Sequence, residues 1–138
     1  MADTTFAVDT VRVLVVEDDP NNRIVITRLL ALAGVKQDRI FEMEGDPASF
    51  LEGNEVDVVL LDIQLPGKDG YSILADLRAD PRYSGLRIIA LTANVMRHDI
   101  ERAKGAGFDG FIGKPIDGRR FGEVFKRILA GEAVWTVN

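Results

Sequence analysis

The stretch VRVLVVEDDP, residues 11–20, holds the first unit from which the fold can be read. Val11–Val16 is rich in β-branched residues and is largely apolar on consecutive positions, the pattern of a strand covered on both faces. It stops at three acids, Glu17, Asp18 and Asp19. Pro20 then stands where a helix begins, with Asp19 suited to cap it. Beyond it Ile26, Leu29, Leu30 and Ala33 fall at i, i+3, i+4 and i+7, and Gly34 sits where the helix should end.

That unit repeats along the chain. Arg39–Met43 reads as a weaker second strand, and Asp46-Pro47 opens a short helix to about Glu52. Val58–Leu61 is a third strand ending in Asp62, followed by the turn cluster Pro66-Gly67-Lys68-Asp69-Gly70 and a helix face of Ile73, Leu74 and Leu77. Ile88–Leu91 is a fourth strand, with a helix over residues 95–104 whose apolar face (Met96, Ile100, Ala103) is thin. Gly110–Ile112 is a short fifth strand. The last helix shows Phe121, Val124, Phe125, Ile128 and Leu129 at i, i+3, i+4, i+7 and i+8. Five strands alternating with five helices predict an α/β fold, a doubly wound parallel sheet with right-handed crossovers.

The chain has 138 residues, enough for one domain. Residues 1–10 read as a flexible leader, 11–131 as the domain and 132–138 as a C-terminal tail. Seventeen lysines and arginines against 22 acids leave a net charge of −5, which argues against nonspecific attraction to DNA or anionic membrane. There are no cysteines and one histidine, so thiolate chemistry and multi-histidine metal sites are excluded. No stretch has the length and apolarity of a membrane span, and the first ten residues lack a secretion signal, so a cytoplasmic location is expected.

In doubly wound sheets, ligands sit outside the carboxyl ends of the strands. Here those ends carry Glu17-Asp18, Asp62, Thr92 and Lys114-Pro115. Any one acid after a strand is as readily a helix cap as a ligand, but the whole set falls on one rim. Crowded carboxylates repel, and Mg²⁺ resolves such crowding through few carboxylates, several waters and a phosphate. Glu17, Asp18 and Asp62 supply the cradle, and the ion keeps Asp62 ionised as a nucleophile. Thr92 is placed to donate to a phosphoryl oxygen and Lys114 to balance its charge.

The order LVVEDD, LLDIQLPGKDG, ALTA, GKP resembles the receiver domain of two-component response regulators over about residues 11–131. The resemblance implies a flavodoxin-like sheet of order 2-1-3-4-5. It also implies phosphorylation of Asp62 by a histidine kinase or histidine phosphotransfer protein. The implied metal set is Glu17, Asp18, Asp62 and the backbone carbonyl of Gln64, holding Mg²⁺ or alternatively Mn²⁺. Thr92 and Lys114 would contact the phosphoryl group, and Lys114-Pro115 would be a cis peptide. Phe111 would be the aromatic switch, turning inward as Thr92 moves toward the phosphoryl group. A core phenylalanine is an equal reading of that position. Switching would alter the face of helix four, strand five and helix five toward an unknown output protein. Gln64 and Asn94 would tune hydrolysis of the acyl phosphate.

Two departures stand out: Met43-Glu44-Gly45-Asp46-Pro47 lacks the Ala-x-[Asp/Asn]-Gly of many relatives, and position 17 is Glu where Asp is common. The expected state is a monomeric signalling switch, not an enzyme beyond its own phosphoryl transfer and slow autodephosphorylation, with no direct DNA binding. The alternatives are a receiver excised from a larger regulator or hybrid kinase, and a degenerate scaffold. An aspartate-nucleophile phosphatase of the haloacid dehalogenase kind would need an acid at Gln64, and a nucleotide or flavin binder would need a glycine-rich phosphate loop. His98 reads as a surface residue, and Trp135 as packed on the domain or free.

Overall fold

A computed structural model describes residues 5–136. In chain order the elements are β1 (Val13–Val16), α1 (Pro20–Leu32), β2 (Ile40–Met43), α2 (Ala48–Gly53), β3 (Val58–Asp62), α3 (Gly70–Ala79), β4 (Arg87–Thr92), α4 (Arg97–Ala106), β5 (Gly110–Gly113), α5 (Gly118–Leu129) and β6 (Val134–Thr136). All strand pairs are parallel, in the order β2-β1-β3-β4-β5-β6.

Aspartates set the starts of the helices. Asp19 accepts from the Asn21 N–H at 2.8 Å, Asp69 from Tyr71 at 2.7 Å and Asp117 from Arg119 at 3.0 Å, each meeting a donor that has no partner within its own helix. Pro20 occupies the first turn of α1, as the sequence pattern predicts.

The consecutive apolar residues of the central strands are divided between two cores, because side chains alternate across a sheet. Val13, Val15, Leu60, Ile89 and Leu91 face α1 and α5, where Ile26, Leu30, Phe121 and Phe125 meet them. Leu14, Val16, Leu61, Ile88, Ala90 and Phe111 face the other way, onto Ile73, Leu74 and Leu77 of α3 and Ala103 of α4.

The order 2-1-3-4-5 is present, with a sixth strand added in the segment expected to be a tail. Val134–Thr136 pairs with β5, and Val134 is buried. A three-residue strand is too short for periodicity to reveal it, and only the open edge of β5 makes it a strand. The leader also differs from the expectation of a loose segment. The Phe6 N–H donates to the Leu129 carbonyl at 2.9 Å, and Phe6 and Val8 pack on the α1–α5 core. Residues 1–4 of that leader and 137–138 of the tail lie outside the described residues.

At the start of α4, Met96 precedes the helix and is 64% exposed, so it does not belong to the helix's apolar face. Asp99 accepts from the Met96 N–H at 3.1 Å and fixes the helix start there. Ala103 alone on α4 is fully buried.

Phe125→Ala removes a fully buried ring from the α5 side of the sheet and is expected to lower unfolding stability by about 3–5 kcal/mol. Met96→Ala is expected to change it by less than about 0.5 kcal/mol. Urea denaturation of both variants measures the contrast.

Candidate functional site

Parallel pairing brings the carboxyl ends of β1, β3, β4 and β5 to one rim. The register sets Val16 beside Leu61, Asp62 beside Leu91 and Thr92 beside Gly113. Glu17, Asp62, Thr92 and Lys114 therefore arise from four adjacent strands, although up to 97 residues separate them in sequence.

Lys114 joins two of the acids directly. Its Nζ donates to Glu17 Oε1 at 2.8 Å and to Asp62 Oδ2 at 3.0 Å. Both carboxylates are almost wholly buried, Glu17 at 2% and Asp62 at 4% exposure. Burial alone pulls the lysine's pKa down, but the hydrogen bonds and charges of Glu17 and Asp62 outweigh it and hold the ammonium above its ordinary value.

The other carboxylate oxygens are placed by backbone. Asp62 Oδ1 accepts from the Gln64 N–H at 2.8 Å, and Glu17 Oε2 from the Asp19 N–H at 3.1 Å. The loop that supplies Gln64 is closed by Gly70, whose N–H donates to the Ile63 carbonyl at 3.0 Å. A Cβ at position 70 would stand 2.6 Å from Ile63 Cα, so only glycine permits this closure.

Thr92 is buried at the end of β4. Its hydroxyl accepts from the Asn94 N–H at 3.0 Å, and its carbonyl accepts from the Lys114 N–H at 2.8 Å. It lines a cavity of about 230 Å³ with Gln64, Asn94, Tyr71, Arg102 and Phe111. The Phe111 ring is already fully buried in the α3–α4 core, so an inward turn is not open to it from this position. The Lys114-Pro115 peptide is cis.

Asp18 bears on whether the rim suits a cation. Its Oδ1 is buried without a hydrogen-bond partner, a costly state for a carboxylate oxygen that a hard cation would relieve. Among the described residues, no three His, Cys, Asp or Glu side chains are already gathered into a metal cage. Lys114 instead occupies the space between Glu17 and Asp62. Two or three oxygens with water completing the shell still fit Mg²⁺, which keeps much of its hydration.

Sequence reasoning missed Arg23. Its guanidinium donates to the carbonyls of Glu17 at 2.7 Å and Asp18 at 3.2 Å, and it pairs with Glu42 and Glu44. It thereby fixes the backbone of the acidic turn. Six residues from Glu17, on the first turn of α1, it stands close enough in sequence for helix geometry to have indicated the contact.

The family model for the response regulator receiver domain matches residues 13–126. The chain belongs to this family. It is a receiver domain of two-component systems, a signalling switch whose family is typically phosphorylated on aspartate. The chain is 32% identical over 121 residues to hybrid signal transduction histidine kinase L of Dictyostelium discoideum, covering 84% of this chain and 7% of that protein. It spans similarly small parts, 13% and 7%, of the sensor protein GacS of Pseudomonas syringae and the histidine kinase mak1 of Schizosaccharomyces pombe. With the polar-differentiation response regulator DivK of Brucella ovis it shares 31% over 117 residues, covering 85% of this chain and 94% of DivK. The receiver of the sensor histidine kinase PA1611 from Pseudomonas aeruginosa, solved with magnesium in its active-site cleft, superposes with a TM-score of 0.70. That receiver is 30% identical, with 86% of this chain and 96% of that one covered.

Replacing Lys114 with Met leaves two buried carboxylates without their shared cation and is expected to cost about 3 kcal/mol near neutral pH. Because the lysine's pKa is raised on folding, its contribution is fully present below its ordinary value of 10.5 and is lost as pH rises through the raised value. Urea titrations of wild type and Lys114→Met should show the gap intact at neutral pH and narrowing in strong alkali.

Proposed function

We propose that Asp62 is the phosphoacceptor of this receiver and that Mg²⁺ assists the transfer, held by Glu17, Asp18, Asp62 and the Gln64 carbonyl. The observation that carries this reading is the direct bond of Lys114 to Asp62 beside the unpartnered oxygen of Asp18. A lysine fixed on the nucleophile's own carboxylate is where a cation must be to receive an incoming phosphoryl oxygen. Bound Mg²⁺ (or Mn²⁺) would neutralise charge on that group's oxygens.

The residues divide the remaining work. An Asp62 carboxylate oxygen forms the bond to phosphorus as the bond from phosphorus to the donor's histidine nitrogen breaks, leaving an acyl phosphate and a free imidazole. Lys114 exchanges its contact with Asp62 for one with the phosphoryl group. Thr92 turns its hydroxyl from the Asn94 N–H toward a phosphoryl oxygen. The amides of Gln64 and Asn94 flank the site and set how readily water attacks the product, giving slow autodephosphorylation. Since the Phe111 ring is already buried, the switch turns on movement of Thr92 and its loop against that ring.

The phosphodonor is a histidine kinase or histidine phosphotransfer protein. An apolar groove of about 270 Å³ beside the site, lined by Val25, Ile26, Lys114, Pro115 and Ile116, offers that donor a place to dock. Val25, on α1, is exposed at its wall. Output passes from the face of α4, β5 and α5 to another protein rather than to DNA, from a monomer in the cytoplasm. Among the described residues no helix is long and apolar enough to cross a membrane.

With Mg²⁺ and acetyl phosphate, intact-mass measurement should show one added phosphoryl group, base-labile and never gained when a chelator withholds the metal from the reaction. Asp62→Asn should take up none. Equal labelling of the two proteins would overturn the assignment.

A further inference from the structure

The strand β6 lies on the edge of β5, within the face assigned above to output. Val134 pairs with Gly110, Trp135 with Phe111 and Thr136 with Ile112. Val134 is 3% exposed and joins the α1–α5 core, while Trp135 packs against the α3–α4 core on the opposite face. From α4, Lys104 Nζ sits 5.4 Å from the centre of the Trp135 ring, a cation–π contact. Position 110 is fitted to this strand: a Cβ there would come within 2.9 Å of the Val134 carbonyl oxygen and 3.1 Å of Ile89 Cδ1.

We propose that β6 is a detachable cover over the β5 edge, docked while Asp62 is unphosphorylated and released on phosphorylation, which frees that edge for an extended segment of a partner protein. This rests on the reading of Asp62 as the phosphoacceptor. Three features support it. The strand is short and holds by one ladder and two apolar side chains, so little free energy separates docked from released states. Its contacts reach the elements that must respond to the site. Trp135 neighbours Phe111, which lines the cavity of Thr92, and it also touches α4 through Lys104. Finally, β6 is docked in an arrangement where Lys114 is bonded to Asp62 itself, the state a phosphoryl group must break. A strand that stabilises this arrangement opposes the other by the same free energy. Once uncovered, the β5 edge presents unpaired backbone groups, the chemistry that recognises an extended peptide by strand addition.

Trp135 is the only tryptophan in the chain, so its fluorescence reports the cover directly. The test uses the full chain with Mg²⁺ and beryllofluoride, with ¹⁹F NMR following occupation of Asp62. When beryllofluoride binds, Trp135 emission should shift to the red and lose its shielding from acrylamide. Asp62→Asn should show neither change. Val134→Asp should show the exposed signal without ligand and bind beryllofluoride more tightly than wild type. Gly110→Ala, which crowds β6 without adding charge, should do the same. A bound ¹⁹F signal with Trp135 still shielded would overturn the cover while leaving the phosphoacceptor intact. Absence of any bound ¹⁹F signal would overturn the phosphoacceptor reading and the cover with it.

Discussion

The bond of Lys114 to both Glu17 and Asp62 is the constraint on which the rest of this receiver depends. Two carboxylates removed from water at the end of a parallel sheet are untenable without a cation, and the lysine provides it. Its own backbone N–H is tied to the Thr92 carbonyl, so the charge is held by the strand ends rather than by a mobile loop. The same ammonium offsets the charge of both buried carboxylates, and under the proposed function it is also the group that would meet an incoming phosphoryl oxygen. Because the lysine cannot satisfy Asp18, one buried oxygen remains without a partner. Stability and the proposed chemistry meet in that imbalance.

The fold delivers this rim because its strands are parallel and its helices return each chain segment to the same starting edge. Alternation across the sheet commits every central strand residue to one of two cores, leaving the strand ends as the place where polar side chains converge. Arg23 and Gly70 show how the surrounding shell is built. The first pins the carbonyls of the acidic turn, and the second lets the loop after β3 close tightly enough for the Gln64 N–H to reach Asp62. Neither touches a reacting atom, and both fix where the carboxylates point.

Much of this is legible in the sequence. The strand-end acids, Thr92 and Lys114 stand out because each follows an apolar run, and the pairs Asp19-Pro20 and Asp46-Pro47 announce where α1 and α2 begin. Legibility failed where a segment lacks an intrinsic pattern. Val134–Thr136 is too short to show a period and becomes a strand only because β5 has an edge to offer. Phe6 and Val8 look like leader residues until α1 and α5 present a groove for them. Met96 fits an apolar helical stripe, yet the Asp99 cap starts the helix one residue later and leaves it in solvent.

Local chemistry thus determined the order of elements, the two-sided burial of the sheet and the residue types on its carboxyl rim, since hydrophobic periodicity, caps and turn residues act over a few positions. Tertiary structure alone decided that Lys114 binds Glu17 and Asp62 together, that Asp18 keeps an unpartnered oxygen, that Phe111 is already buried, and that β6 closes the edge of β5. Each of these depends on distances between residues far apart in the chain. Such distances are set by the packing of whole elements, which no local pattern encodes.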